Sequence, residues 1–154
     1  MKRLSYREGS CFVVPLRQGG YATGVVARMA PNGRIVLAYL FGPKRDAVPL
    51  LADVARLQPK EAVKCLRIGD LGLINGKWPV LGELLHWDKQ AWSMPSFARR
   101  DTLSKRAWRS VYSDSDPSKL EQEEPMPYCA DELERDALYG AGAVELMMTK
   151  LLDG

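Results

Sequence analysis

At 154 residues, with 46% apolar and 27% charged side chains, the chain carries enough apolar material to bury a core without disulfides or metals, which excludes a wholly disordered polypeptide. The net charge of +3 is the sum of +11 over residues 1–112 (19 Lys and Arg against 8 Asp and Glu) and −8 over residues 113–154 (3 against 11). No stretch approaches the roughly 18 apolar residues that cross a bilayer, and Cys11 to Leu16 is too short for a secretory leader, so the chain is read as cytoplasmic, without a membrane partner.

Gly9-Ser10 opens a β-prone run, Cys11-Phe12-Val13-Val14-Pro15-Leu16, in which Pro15 cannot donate to a ladder and marks a strand end or a sheet edge. After the turn at Gly19-Gly20, Tyr21 to Met29 alternates Tyr21, Thr23, Val25 and Ala27 on one face, with Gly24 marking a bulge or a close approach of backbone. Pro31-Asn32-Gly33 is the clearest turn, and Arg34 to Phe41 returns as a strand apolar enough to be buried on both faces. Three strands joined by two short turns make a meander. Residues 43–60 are a connection with one helical turn at Leu51–Leu57, and residues 62–68 are read as a strand in preference to a short helix. Asp70 to Gly82 has the pattern of a hairpin turning at Asn75-Gly76, and residues 86–97 form a loop or short strand that packs large rings. From Ser113 the composition turns polar and acidic, predicting a surface connection bounded by Pro117 and Pro125. Asp131 with Glu134 then resembles a capping box, and Leu133, Ala137, Leu138, Ala141, Val144, Met147, Met148 and Leu151 keep helical spacing, with a break near Gly140 and Gly142.

Candidate chemistry is sparse. His86 is the single histidine; an enzyme would pair it with Cys65 or Cys129 and an orienting Asp88, but Leu85-His86-Trp87 has the look of a packed imidazole. Cys11, Cys65 and Cys129 are odd in number and far apart, so they are read as free cysteines behaving as small hydrophobes. No metal-ligand spacing and no phosphate-binding glycine pattern occurs, so no metal or cofactor is expected. The basic residues cluster at Arg99, Arg100, Lys105, Arg106 and Arg109, among Trp92, Phe97 and Trp108; this is a possible phosphate-binding face, or a solvated face balanced by the acidic tail. Trp78 is read as core, while Trp87 and Trp92 suit core and interface equally.

Three segments resemble the immunity protein 26 family of bacterial polymorphic toxin systems. They are Gly9 to Leu16 followed by Gly20-Tyr21-Ala22-Thr23-Gly24-Val25-Val26; Gly76-Lys77-Trp78-Pro79-Val80-Leu81-Gly82; and Leu138-Tyr139-Gly140-Ala141-Gly142-Ala143-Val144-Glu145. The resemblance implies a protein without catalysis that protects a cell by binding a toxin, and it supplies no catalytic residues. The expected fold is α+β and mainly antiparallel β: a curved sheet or small barrel-like domain with a C-terminal helical element. A single domain over 1–154 would comprise a β-rich body at about 8–112, an acidic connection at about 113–129 and a helical segment at about 131–152. The expected partner is a cognate toxin, met by Trp87, Trp92, Glu121, Glu123 and Glu124. The alternative is an SH3-like module binding nucleic acid through Arg99, Arg100, Lys105, Arg106 and Arg109.

Overall fold

The computed structural model describes residues 4–130 and 132–153. Strands β1 (Ser10–Pro15), β2 (Tyr21–Met29) and β3 (Ile35–Arg45) form the meander expected from the two turns. At the second turn Gly33 and Arg34 hold the positive φ (79° each), and Ala30 N–H donates to the Ile35 carbonyl to close the hairpin. Strand β4 (Lys64–Gly69) lines β3, and β5 (Val80–Glu83) lines β1, so with β9 (Leu138–Tyr139) the order is β5-β1-β2-β3-β4-β9. All pairs are antiparallel except β4 with β9. Pro15 ends β1 beyond the stretch that β5 covers, which is where a missing N–H does no harm. Gly24 lies opposite Phe12, and a Cβ there would stand 2.8 Å from Phe12 Cε2; the glycine is required by the ring lying across it.

The sheet is buried on both faces, which is why β2 and β3 are apolar at nearly every position. One face packs Phe12, Val26, Leu40, Leu66 and Ile68 under the C-terminal helix α3 (Ala141–Asp153). Helix α3 delivers Val144 and Met148, each fully buried and each contributing roughly 1.5–3 kcal/mol of burial. Trp78 stacks on Phe12 with ring centroids 5.7 Å apart, and its Nε1 donates to Glu145 of α3 (2.9 Å). The opposite face packs Val25, Leu37, Tyr39 and Phe41 against Val54, Trp92, Phe97 and Tyr112. Val54 comes from the helical turn α1 (Leu51–Val54). Phe97 and Tyr112 come from a second, three-stranded antiparallel sheet in the order β6-β7-β8, formed by β6 (Phe97–Asp101), β7 (Arg106–Ser113) and β8 (Asp116–Met126). The sheets stay open: neither closes into a barrel.

Four expectations are corrected. Residues 70–82 are not a hairpin: Leu71–Ile74, the expected first arm, is a helical turn, α2, and β5 pairs with β1. The acidic connection is largely the eleven-residue strand β8, whose carboxylates lie opposite the basic β7. The C-terminal helix starts at Ala141, not near residue 131; Asp131 lies outside the described residues, and residues 134–136 run beside β6 through Ala98 N–H to Glu134 O (2.8 Å) and Asp136 N–H to Ala98 O (2.7 Å). Backbone partners on two sheets outcompete the helical pattern there. His86 is exposed at φ 57°, not packed.

The acidic tail folds back on the basic body. Of nine ion pairs among the described residues, seven join a cation from residues 1–112 to a carboxylate beyond them. Two of these fasten buried arginines. Arg28, 2% exposed, donates to Asp114 (2.9 Å) and to the carbonyls of Ala27 and Trp92. Arg67 donates to Pro117 O (2.8 Å) and Asp136 (3.4 Å), and lies 3.7 Å over the Tyr112 ring.

Candidate partner-binding surface

Strand β8 is the outer edge of the small sheet. Residues 118–123 are exposed, and among the described residues 118–126 make no backbone–backbone hydrogen bond other than those to β7, while Ser118 N–H donates to Asp116 Oδ1 (3.0 Å). The register puts Glu124 opposite Arg109 and Glu123 opposite Ser110. Val111 faces Gln122 while Tyr112 faces Leu120, so Glu121 is the extra residue of a bulge. Glu124 pairs with Arg109 and Glu123 with Arg99, both at 2.7 Å and both half exposed; such pairs are weakly held in water and exchange readily. No ion pair among the described residues engages Glu121.

The tryptophans lie elsewhere. Trp92 is 4% exposed, wedged against Tyr39 (5.0 Å) and Phe41 (6.0 Å), so it is a core residue and not a surface anchor. Trp87 is half-buried on Trp92 (5.9 Å) and caps Gly9, where a Cβ would meet its ring at 2.9 Å. Beside it a cleft of about 310 Å³ is lined by Leu57, Leu84, His86, Asp88 and Trp92 among others. Trp87 and the three glutamates share no hydrogen bond or ion pair with one another among the described residues; the structure sets them on separate elements.

The basic cluster is largely engaged within the chain. Arg99 pairs with Glu123 and lies 4.0 Å over the Trp108 ring, Arg109 pairs with Glu124, and Arg100 donates to the carbonyls of Tyr128 and Ala130. Lys105 stands 5.3 Å over the Tyr128 ring, which leaves Arg106 as the exposed member whose side chain has no hydrogen-bond, ion-pair or ring partner among the described residues. Phosphate binding through this cluster would have to displace these partners.

Titratable groups are mostly structural. Burial pushes the Cys65 thiol up to about 12 and the Cys11 thiol to about 11, well away from nucleophilic use at neutral pH. Cys129 is exposed, unlike the hydrophobe expected, and no hydrogen bond joins His86 to Cys65, Cys129 or Asp88 among the described residues. No group of three or more metal-ligating side chains is brought together among the described residues, and no helix is long and apolar enough to cross a membrane.

Sequence reading missed three features of this surface. Leu103, 95% exposed at the β6–β7 turn, is held there by Asp101, whose carboxylate accepts from Leu103 N–H (3.0 Å) and Ser104 Oγ (2.9 Å). The alternation Phe97, Arg99 and Ala98, Arg100 is a strand signal for β6 that residue patterning could have found. The burial of Arg28 and Arg67 had no local signal beyond apolar neighbours, because their carboxylates come from more than sixty residues away.

The fold therefore defines a β-sheet protein with a charged, open-edged accessory sheet, the kind of surface on which proteins meet. A family model described as Immunity protein 26 matches residues 7–109, two thirds of the chain, and the chain belongs to that family. The match runs from the segment before β1 into β7 and stops short of β8. Neither the curated proteins nor the solved structures contain a match.

Proposed function

We propose that this protein is an immunity protein that binds a cognate bacterial toxin and neutralises it stoichiometrically, without chemistry of its own. The observation that carries this reading is family membership across residues 7–109. Three free cysteines fit action in the reducing cytoplasm of the protected cell. Glu121, Glu123 and Glu124 supply the exposed polar contacts, and Trp87 supplies an aromatic one. Trp92 supports Trp87 from beneath.

The test is co-expression with the toxin encoded beside its gene, followed by calorimetry of the purified pair. The expected result is survival and a saturable one-to-one complex. Alanine at Glu121, Glu123, Glu124 and Trp87 together should weaken binding by more than about tenfold, the scale of one lost hot spot. Survival of the toxic phenotype with no complex formed would overturn the reading.

A further inference from the structure

The two sheets end on four strands, β5, β9, β6 and β8, and three of these edges are short or covered. β9 has only two residues. Residues 134–136 lie along β6 through the bridge of Ala98 with Arg135 and its flanking hydrogen bonds. β5 is only four residues long. β8 is different: eleven residues, exposed from 118 to 123. From Lys119 to Glu124 its outer main-chain groups have no backbone partner among the described residues. Ser118 N–H donates to Asp116 Oδ1 (3.0 Å) where the ladder to β7 breaks between Asp116 and Leu120. An edge of this length is a template for another strand, and folds that do not use it usually cover or shorten it.

We propose that the edge of β8 is a docking strand, and that its occupant is an extended, basic segment of the partner that adds to residues 118–124 through main-chain hydrogen bonds. This deepens the immunity reading and rests on it for the identity of the partner as a toxin. Charge selects the occupant. β8 carries Asp116, Glu121, Glu123 and Glu124 against Lys119 alone. A second copy of β8 would set these carboxylates beside each other, a repulsive arrangement, whereas lysines or arginines on an incoming strand find them as cross-strand neighbours. No ion pair among the described residues holds Glu121 back from such a neighbour, and the half-exposed pairs of Glu123 and Glu124 can be shared or exchanged. Main-chain bonds then supply affinity, and the alternate side chains supply selectivity.

The experiment uses the whole chain and a defined probe: a capped, alternating Lys-Val peptide of about eight residues, long enough to span the exposed edge. Amide hydrogen exchange is followed residue by residue at low salt. Peptide at about ten times its Kd should slow exchange in residues 118–124 by about tenfold and leave β1 to β4 unchanged. The alternating Glu-Val peptide should have no effect. Glu121→Lys should weaken the Lys-Val peptide without disturbing an existing ion pair, and the triple change Glu121→Lys, Glu123→Lys, Glu124→Lys should reverse the preference, with unchanged exchange in β1 to β4 reporting an intact fold. The proposal fails if β8 amides are not slowed, if protection maps instead to the cleft beside Trp87, or if a backbone N-methylated Lys-Val peptide binds equally well. It also fails if the chain sediments as a dimer with β8 protected, because a second copy then holds the edge. Cell protection is read separately: protection without β8 docking removes this mode and keeps the immunity reading, and docking without protection does the reverse.

Discussion

Replacing Asp136 by alanine tests how the acidic tail is fastened to the basic body. One oxygen of Asp136 accepts from Arg67 Nη1 at 3.4 Å and from the Tyr112 hydroxyl at 2.7 Å, and the Arg67 and Asp136 side chains are 8% and 10% exposed. Removing the carboxylate leaves a buried guanidinium with its Pro117 carbonyl and the Tyr112 ring, and strips the Tyr112 hydroxyl of its acceptor. Breaking a buried pair from one side costs about 3–5 kcal/mol, and the long 3.4 Å contact places this one near the lower end. For a chain of this size, about 3 kcal/mol corresponds to a Tm lower by about 6–12 °C. Urea unfolding followed by tryptophan fluorescence measures the loss, with the m-value unchanged if only the native contact is removed. A second readout separates this from general damage. Tyr112 is pushed up to about 12 by burial and then by the bond to Asp136, so in Asp136→Ala its titration should move back toward the ordinary phenol value. Replacing both partners, Arg67→Met with Asp136→Leu, should recover most of the stability because no unpaired charge remains. A loss below about 1 kcal/mol in Asp136→Ala, the range of exposed pairs, would refute the claim that this contact is a buried fastening.

Two further outcomes are expected. Gly24→Ala should destabilise by about 1–3 kcal/mol, because its Cβ would meet the Phe12 ring inside a packed core; a change within error in urea unfolding would show that the ring can give way. Tyr39, Tyr112 and Tyr6 are all raised above the ordinary phenol value, first by burial, Tyr39 and Tyr112 to about 12. Their neutral forms are favoured by the fold, so the stability they contribute is full below the unfolded value of about 10 and is lost as pH rises toward 12. Tyrosinate absorbance from these three should therefore appear together with loss of the fold's circular dichroism, and smooth independent titration of all tyrosines at intact fold would contradict it.

The meander of β1 to β3 was legible in the sequence because its signals are local. Pro15 and Gly33 punctuate, and the apolar runs of β2 and β3 report burial on both faces. Family likeness was legible for a related reason: it is carried by glycines, Trp78 and apolar positions that the sheet requires, as the overlap of Gly24 with Phe12 and of Gly72 with Trp78 makes plain. The second sheet was not legible. Glu121 to Glu124 look like a solvated linker when only neighbours in sequence are considered, and become a strand once β7 offers Arg109 opposite Glu124. Residues 133–139 keep a helical period, yet β6 gives better backbone partners to residues 134–136 and β4 to Leu138 and Tyr139. Trp87 and Trp92 were equivalent in sequence and are not in space, since Tyr39 and Phe41 bury one ring and leave the other at the rim. The sequence by itself determined the central β meander, the family and the split between a basic body and an acidic tail. Tertiary structure alone decided that the tail closes on the body, because the carboxylates of Asp114 and Asp136 reach Arg28 and Arg67 only across a chain separation of more than sixty residues, where no local pattern carries the information.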